Sequence, residues 1–205
     1  MLNLLYFDSD IAVCVKPAGI LSEGDTTGSM PYLLTLAMKE QGRTVTPFVV
    51  HRLDKETEGL MVFAFNSKSA AALSSSIQNG DFEKIYHATC VGSIDKDSDT
   101  LCDLLFYDRK RGKSFVVDRK RNGVKSASLE YTVLERLPDR TLLCIKLGTG
   151  RTHQIRVQLA SRGHPLCGDR RYGAPASFGN QLALSAVHLA FPHPRTGERM
   201  KFSLA

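Results

Sequence analysis

Apolar positions fall along this chain in short runs broken by turn residues, with few long periodic stretches. Ile11 to Val15 is a continuous apolar run that stops at Lys16-Pro17-Ala18-Gly19, the pattern of a buried strand ended by a turn. From Pro31 to Gln41 the spacing changes. Leu33, Leu34, Ala37 and Met38 share one face of a predicted helix, and Gly42 stands where a C-terminal cap belongs. Val49-Val50 leads into His51-Arg52-Leu53-Asp54, and Gly59 opens a second apolar run through Phe65, so Asp54 is expected in a loop between two strands. Ser67 to Gln78 reads as a short helix with Ser67 as N-cap and Gly80 past its end.

Glu83 to Gly92 returns to period two, placing Tyr86, Ala88 and Cys90 on one face and Ile85, His87 and Val91 on the other. Arg109 to Lys125 holds eight Lys or Arg in seventeen residues, and Gly112, Asn122 and Gly123 mark it as a hairpin or loop. Ser128 to Leu137 and Thr141 to Leu147 are strand candidates joined at Pro138-Asp139. A helix is expected from about Thr152 to Gly163, with Leu182 to Phe191 as a late strand. Many strands and few helices predict an α+β fold, a mixed and largely antiparallel sheet with flanking helices. No repeat or linker divides the 205 residues, so one domain spanning 1–205 is expected.

Composition narrows the class without naming it. Apolar residues at 42% and charged residues at 23% are ordinary for a folded domain. A net charge of +6 permits a nucleic-acid partner without requiring one. The five cysteines, Cys14, Cys90, Cys102, Cys144 and Cys167, are scattered, odd in number and unlike a metal knuckle, which points to reduced thiols and a cytoplasmic protein. No signal peptide and no membrane-spanning run can be written, and a monomer is expected.

Two segments carry chemistry. In His51-Arg52-Leu53-Asp54-Lys55-Glu56-Thr57-Glu58-Gly59-Leu60, a loop carboxylate lies between Arg52 and Lys55, whose positive charges favour its ionised form. A surface loop with incidental charges is the plain alternative. A kinase-type His-Arg-Asp loop does not fit. Leu53 separates Arg52 from Asp54, no glycine-rich phosphate loop precedes it, and Asp81-Phe82 is followed by Glu83. In Gly148-Thr149-Gly150-Arg151-Thr152-His153-Gln154-Ile155-Arg156-Val157, a glycine turn precedes a helix start dense in hydrogen-bonding groups: Arg151, His153, Gln154 and Arg156. Ile155 and Leu159 form its apolar side.

The pair HRLDKETEGL and GRTHQIRV, about a hundred residues apart, resembles the RluA family of RNA pseudouridine synthases. Similar segments flank it: Asp10 to Gly19 with Lys-Pro-Ala-Gly, Lys84 to Gly92 with Lys-x-Tyr, Gly168-Asp169 with Tyr172-Gly173, and Phe-Pro-His-Pro within Leu182 to Pro194. The resemblance implies a minimal catalytic domain, without the family's frequent N-terminal RNA-binding extension. It implies a central cleft between the Asp54 loop and the Arg156 helix, and isomerisation of uridine to pseudouridine in ribosomal or transfer RNA. By the same resemblance Asp54 is the essential carboxylate, Tyr86 the tyrosine that stacks on the target uracil, and Arg156 the basic partner of the aspartate. Arg52 matches the arginine that helps displace the base. Lys55, Arg151, His153 and Gln154 are expected near the substrate, and Arg119, Lys120 and Arg121 on RNA phosphates.

The reaction needs no metal and no cofactor, because nothing is oxidised and no phosphate moves. Glu58, Gln158 and Ser185 depart from the family pattern and bear on substrate contacts. Two rivals remain, a non-catalytic RNA-binding protein of the same fold and a hydrolase with Asp54 as nucleophile. The joint presence of Asp54, Tyr86 and Arg156 speaks against the first, and the lack of a leaving-group acid against the second.

Overall fold

The computed structural model describes residues 2–24 and 26–204. Its contacts gather into two compact units, Met1–Lys84 with Ala186–Ala205 and Ile85–Ser185. Each unit is built on an antiparallel sheet, and the protein is α+β as the pattern predicts.

In the first unit, strands β1 (Asn3–Phe7), β2 (Ile11–Lys16), β4 (Glu58–Ala64) and β10 (Leu184–Pro192) lie in that order. The two-residue β3 (Phe48–Val49) pairs with β4, and β11 (Arg199–Ser203) with β10. Strands β2 and β4 are apolar on both faces because both faces are covered. Ile11, Val13, Leu60, Val62, Leu73, Phe82, Leu189 and Phe191 form one core, in which Phe82 and Phe191 stack with centroids 5.2 Å apart. Helix α1 (Met30–Glu40) carries Pro31 in its first turn, where a missing N–H costs nothing. Helix α2 (Ser67–Asn79) is capped one residue earlier than expected. Asn66, not Ser67, is the N-cap, and its carboxamide oxygen accepts from the Ser69 amide, a third-position reach that Ser67 inside the helix cannot make. Gly80 closes it in the left-handed region at φ 82°, as expected.

The second unit is a five-stranded antiparallel sheet in the order β5 (Glu83–Val91), β9 (Arg140–Leu147), β8 (Val124–Arg136), β6 (Ser98–Asp108) and β7 (Lys113–Val117). The basic stretch is a hairpin, as its glycines predict. It supplies the turn after β6, all of β7 and the turn into β8. Helix α3 runs only over Gln154–Ala160, shorter than the expected 152–163, and ends in a turn through Ser161 to Gly163. It begins late because His153 holds a left-handed backbone at φ 54°, the only non-glycine residue with positive φ among those described. Three strands escaped the sequence pattern: β1 and β11, half exposed along their length, and β6, which mixes polar and apolar residues and buries Leu101 and Leu105.

Candidate active site

Asp54 sits in the segment between β3 and β4, within a turn in which the Thr57 amide donates to its carbonyl at 3.1 Å. The residues on either side of it are fixed through their backbones. The Ser22 hydroxyl donates to the Leu53 carbonyl at 2.6 Å and accepts from the Leu53 amide at 3.0 Å. The Lys55 carbonyl accepts from the Gly19 amide at 2.8 Å and from the Lys16 ammonium at 3.0 Å. That ammonium is fully buried and also donates to the carbonyls of Pro17 and Ile20. Burial pushes Lys16 down to about 8, while the negative charges of Glu56, Asp54 and Glu58 pull the other way. The Lys-Pro-Ala-Gly turn is thus a clamp on the Asp54 loop, a role that composition and spacing do not reveal.

Two glycine and histidine positions complete the support. Gly59 has φ 122°, and a side chain there would meet the Ala186 backbone at 2.3 Å, so the strand after Asp54 starts where only glycine fits. His51 is buried against Phe82, and its Nε2 accepts from the Val62 amide at 3.1 Å. Burial, and secondarily the Lys84 charge, push its pKa down to about 3, so it is a neutral packing element below Asp54. Arg52 points the other way. It is exposed and paired with exposed Glu23. Lys55 is exposed as well, and Glu58 lies exposed at the start of β4.

In the second unit the guanidinium of Arg156 is buried and bidentate with an equally buried carboxylate, Asp169, through Nε–Oδ2 at 2.7 Å and Nη2–Oδ1 at 2.8 Å. Asp169 follows Gly168, which at φ 76° would bring a Cβ to 1.9 Å from the Gln181 carbonyl. Glycine is therefore required for the chain to deliver this carboxylate. The Tyr172 ring lies 5.3 Å from the Arg156 guanidinium, and its hydroxyl is 3.0 Å from His153 Nδ1. Tyr86 is buried on β5, on the same face as Ala88 and Cys90, as period two predicts.

Gln154 is buried and turned inward. Its Oε1 accepts from the Thr149 hydroxyl and the Arg151 amide, and its Nε2 donates to the Ser128 carbonyl. Gln158, the departure from the family pattern in the same helix, ties α3 to β6 through the Leu101 carbonyl and Asp103. Arg151 is half buried and donates to the Ser126 carbonyl. Arg119, Lys120 and Arg121 stand exposed in the turn between β7 and β8, with Arg121 over the Phe106 ring. Among the described residues, Asp8, Asp10 and His193 could together face a cation. Their hydrogen bonds account for them otherwise. His193 Nδ1 accepts from the Thr196 amide, leaving Nε2–H to donate to Asp8 at 2.8 Å, and Asp10 pairs with Arg195.

This architecture defines a class. The chain superposes on the human protein named RNA Pseudouridylate Synthase Domain Containing 4 with a TM-score of 0.81 at 23% identity, covering 99% of this chain and 88% of that one. The fold is that of pseudouridylate synthase domains. Residues 10–161 match the family model described as RNA pseudouridylate synthase. An uncharacterized RNA pseudouridine synthase of Aquifex aeolicus is 39% identical over 99% of this chain and 69% of its own length. Ribosomal large subunit pseudouridine synthase D of Neisseria meningitidis is 34% identical over 98% of this chain and 57% of its own length. The chain belongs to the RNA pseudouridine synthase family, whose members are isomerases that convert uridine to pseudouridine in RNA.

Proposed function

We propose that Asp54, Tyr86 and Arg156 act on one uridine of a ribosomal or transfer RNA, and that the two units work as a single catalytic domain in a cytoplasmic monomer. The observation that carries this reading is the backbone clamp on both sides of Asp54, a restraint far stronger than an incidental surface loop needs. Isomerisation breaks the C1′–N1 bond, turns the uracil, joins C1′ to C5, and gives the C5 hydrogen to solvent while N1 gains one. A preorganised carboxylate suits this chemistry, either as the nucleophile or by stabilising charge at the reacting centre. Tyr86 offers a ring face for the extruded base, worth about 1–3 kcal/mol by analogy with other base-stacking sites. That offsets part of the few kcal/mol required to unstack a nucleotide.

Arg52, with its exposed and weakly held ion pair, is free to move toward the space a flipped base leaves. Lys55, Arg151 and His153 contact the substrate, while Gln154 acts behind them by holding the Gly-Thr-Gly turn. Arg119, Lys120 and Arg121 bind phosphates. The ribosomal RNA half of the substrate assignment draws support from the Neisseria relative, named as a synthase of the large ribosomal subunit.

The experiment is tritium release from cellular RNA labelled at uracil C5, with the parent and Asp54→Asn side by side. Release by the parent and none by the variant is expected. Equal release from both would remove Asp54 from its role.

A further inference from the structure

Tyr172 is placed by the same turn that delivers Asp169. Gly168 and Asp169 lead into a 3-10 turn at Arg170–Tyr172, the Tyr172 amide donates to the Asp169 carbonyl at 3.1 Å, and the ring is buried. From there it touches two functional groups and one peripheral element. Its ring faces the Arg156 guanidinium at 5.3 Å on one side, and the Lys113 ammonium stands 4.7 Å from the same ring. Its hydroxyl accepts from the Ser114 amide at 2.8 Å, lies 3.3 Å from the Ser114 carbonyl as a donor, and meets His153 Nδ1 at 3.0 Å. Lys113 and Ser114 begin β7, on the basic hairpin. That hairpin is stitched to the same place at three more points: Lys113 Nζ to the Arg171 carbonyl, Arg171 Nη1 to the Gly112 carbonyl, and the Ser114 hydroxyl to the Thr152 carbonyl. His153, beside Thr152, is the residue whose backbone is held in the left-handed region, a conformation that surrounding contacts must enforce.

We propose that Tyr172 is a positioning residue, coupling the basic β6–β7 hairpin to the Arg156 guanidinium and the His153 imidazole. The inference rests on the proposed RNA contact of the basic stretch, extended from Arg119, Lys120 and Arg121 to the turn between β6 and β7. Phosphates that engage Arg109, Lys110 and Arg111 at the hairpin turn restrain the start of β7. Ser114 passes that restraint to the Tyr172 hydroxyl, and the hydroxyl passes it to His153. The cationic groups on the ring respond together, because a shift of Lys113 toward phosphate changes the field at the ring that also faces Arg156. RNA engagement thereby sets the geometry of the helix start that bears the reactive groups.

A buried tyrosine that merely glues a hairpin would affect stability and little else. The test therefore uses Tyr172→Phe, which keeps the ring and deletes the hydroxyl, and reads what a glue would leave alone. Turnover of RNA labelled at uracil C5 should fall by roughly tenfold in kcat as the hydroxyl's bonds to Ser114 and His153 are lost, with KM within about twofold of the parent. The second readout needs no turnover. Histidine side-chain resonances are followed by NMR while a synthetic RNA stem-loop is added, with His153 identified by its loss in His153→Gln. In the parent the His153 signal should shift on binding. In Tyr172→Phe that shift should vanish although the stem-loop still binds. A variant that keeps the parent's kcat, or a His153 response that survives the substitution, overturns the coupling. Absence of turnover by the parent would count against the proposed activity, and the NMR response would still decide the coupling.

Discussion

Replacing Asp169 by asparagine breaks a deeply buried charge pair of the second unit. The side chains of Arg156 and Asp169 are 3% and 0% exposed, and two hydrogen bonds of 2.7 and 2.8 Å join them. Asparagine has nearly the same shape, so no cavity forms. It does remove a full negative charge, and it turns one acceptor into an N–H donor facing a guanidinium N–H. Breaking a buried pair from one side costs about 3–5 kcal/mol, since the desolvated partner keeps its charge. Against a total stability of about 5–15 kcal/mol, that is a large fraction. The chain has no tryptophan, so equilibrium unfolding in urea is followed by far-ultraviolet circular dichroism. Asp169→Asn should lose about 3–5 kcal/mol. A variant within about 1 kcal/mol of the parent would falsify the claim that Asp169 stabilises the buried guanidinium of Arg156.

Two further outcomes are expected from the same structure. His51 titrates near 6.5 when unfolded and is pushed to about 3 in the fold, so its contribution to stability is complete above pH 6.5 and is lost as pH falls toward 3. Between pH 6.5 and 4.5 this one group should account for roughly 2–3 kcal/mol of acid destabilisation, and His51→Gln should make that limb shallower by about one proton; an identical pH dependence in the two proteins would refute it. Neutralising Arg119, Lys120 and Arg121 together should weaken RNA binding and reduce the slope of log affinity against log salt by about 2–3, measured by fluorescence anisotropy with a labelled stem-loop. An unchanged slope would return these residues to a solvated turn.

How much of this was legible beforehand depends on whether the determining contacts are local. Strands β2 and β4 announce themselves because each is apolar over most of its length, β9 through Leu142 to Ile145, and α1 and α2 because their caps and periodicity lie within one segment. The short strands β1 and β11 and the mixed β6 show neither a long apolar run nor a clean alternation, and their form depends on the strands they pair with. The same division holds around the reactive groups. Asp54, Tyr86 and Arg156 were recognisable from motifs, and the loop position of Asp54 from flanking runs. Lys16, Asp169 and Tyr172 stood in segments noted for their resemblance and Ser22 just beyond one, yet their jobs were not readable. Each acts on a residue 13 to 58 positions away, a distance that no periodicity spans.

Backbone bonds place the loop that carries Asp54 in the first unit, and a buried side-chain pair orients Arg156 in the second. The loop that carries Asp54 is steadied through the carbonyls and amides of Leu53 and Lys55, by Ser22, Gly19 and Lys16, so its backbone is placed by residues 31 to 39 positions away. Arg156 is steadied through the side chain itself, by a buried carboxylate that sets the plane of the guanidinium. A guanidinium keeps its charge whether or not it is paired, so the carboxylate sets its orientation without changing its protonation. Glycines at 59 and 168 serve the two strategies alike. Each admits a backbone contact that any side chain would block, and each stands within a few residues of the group it helps to place.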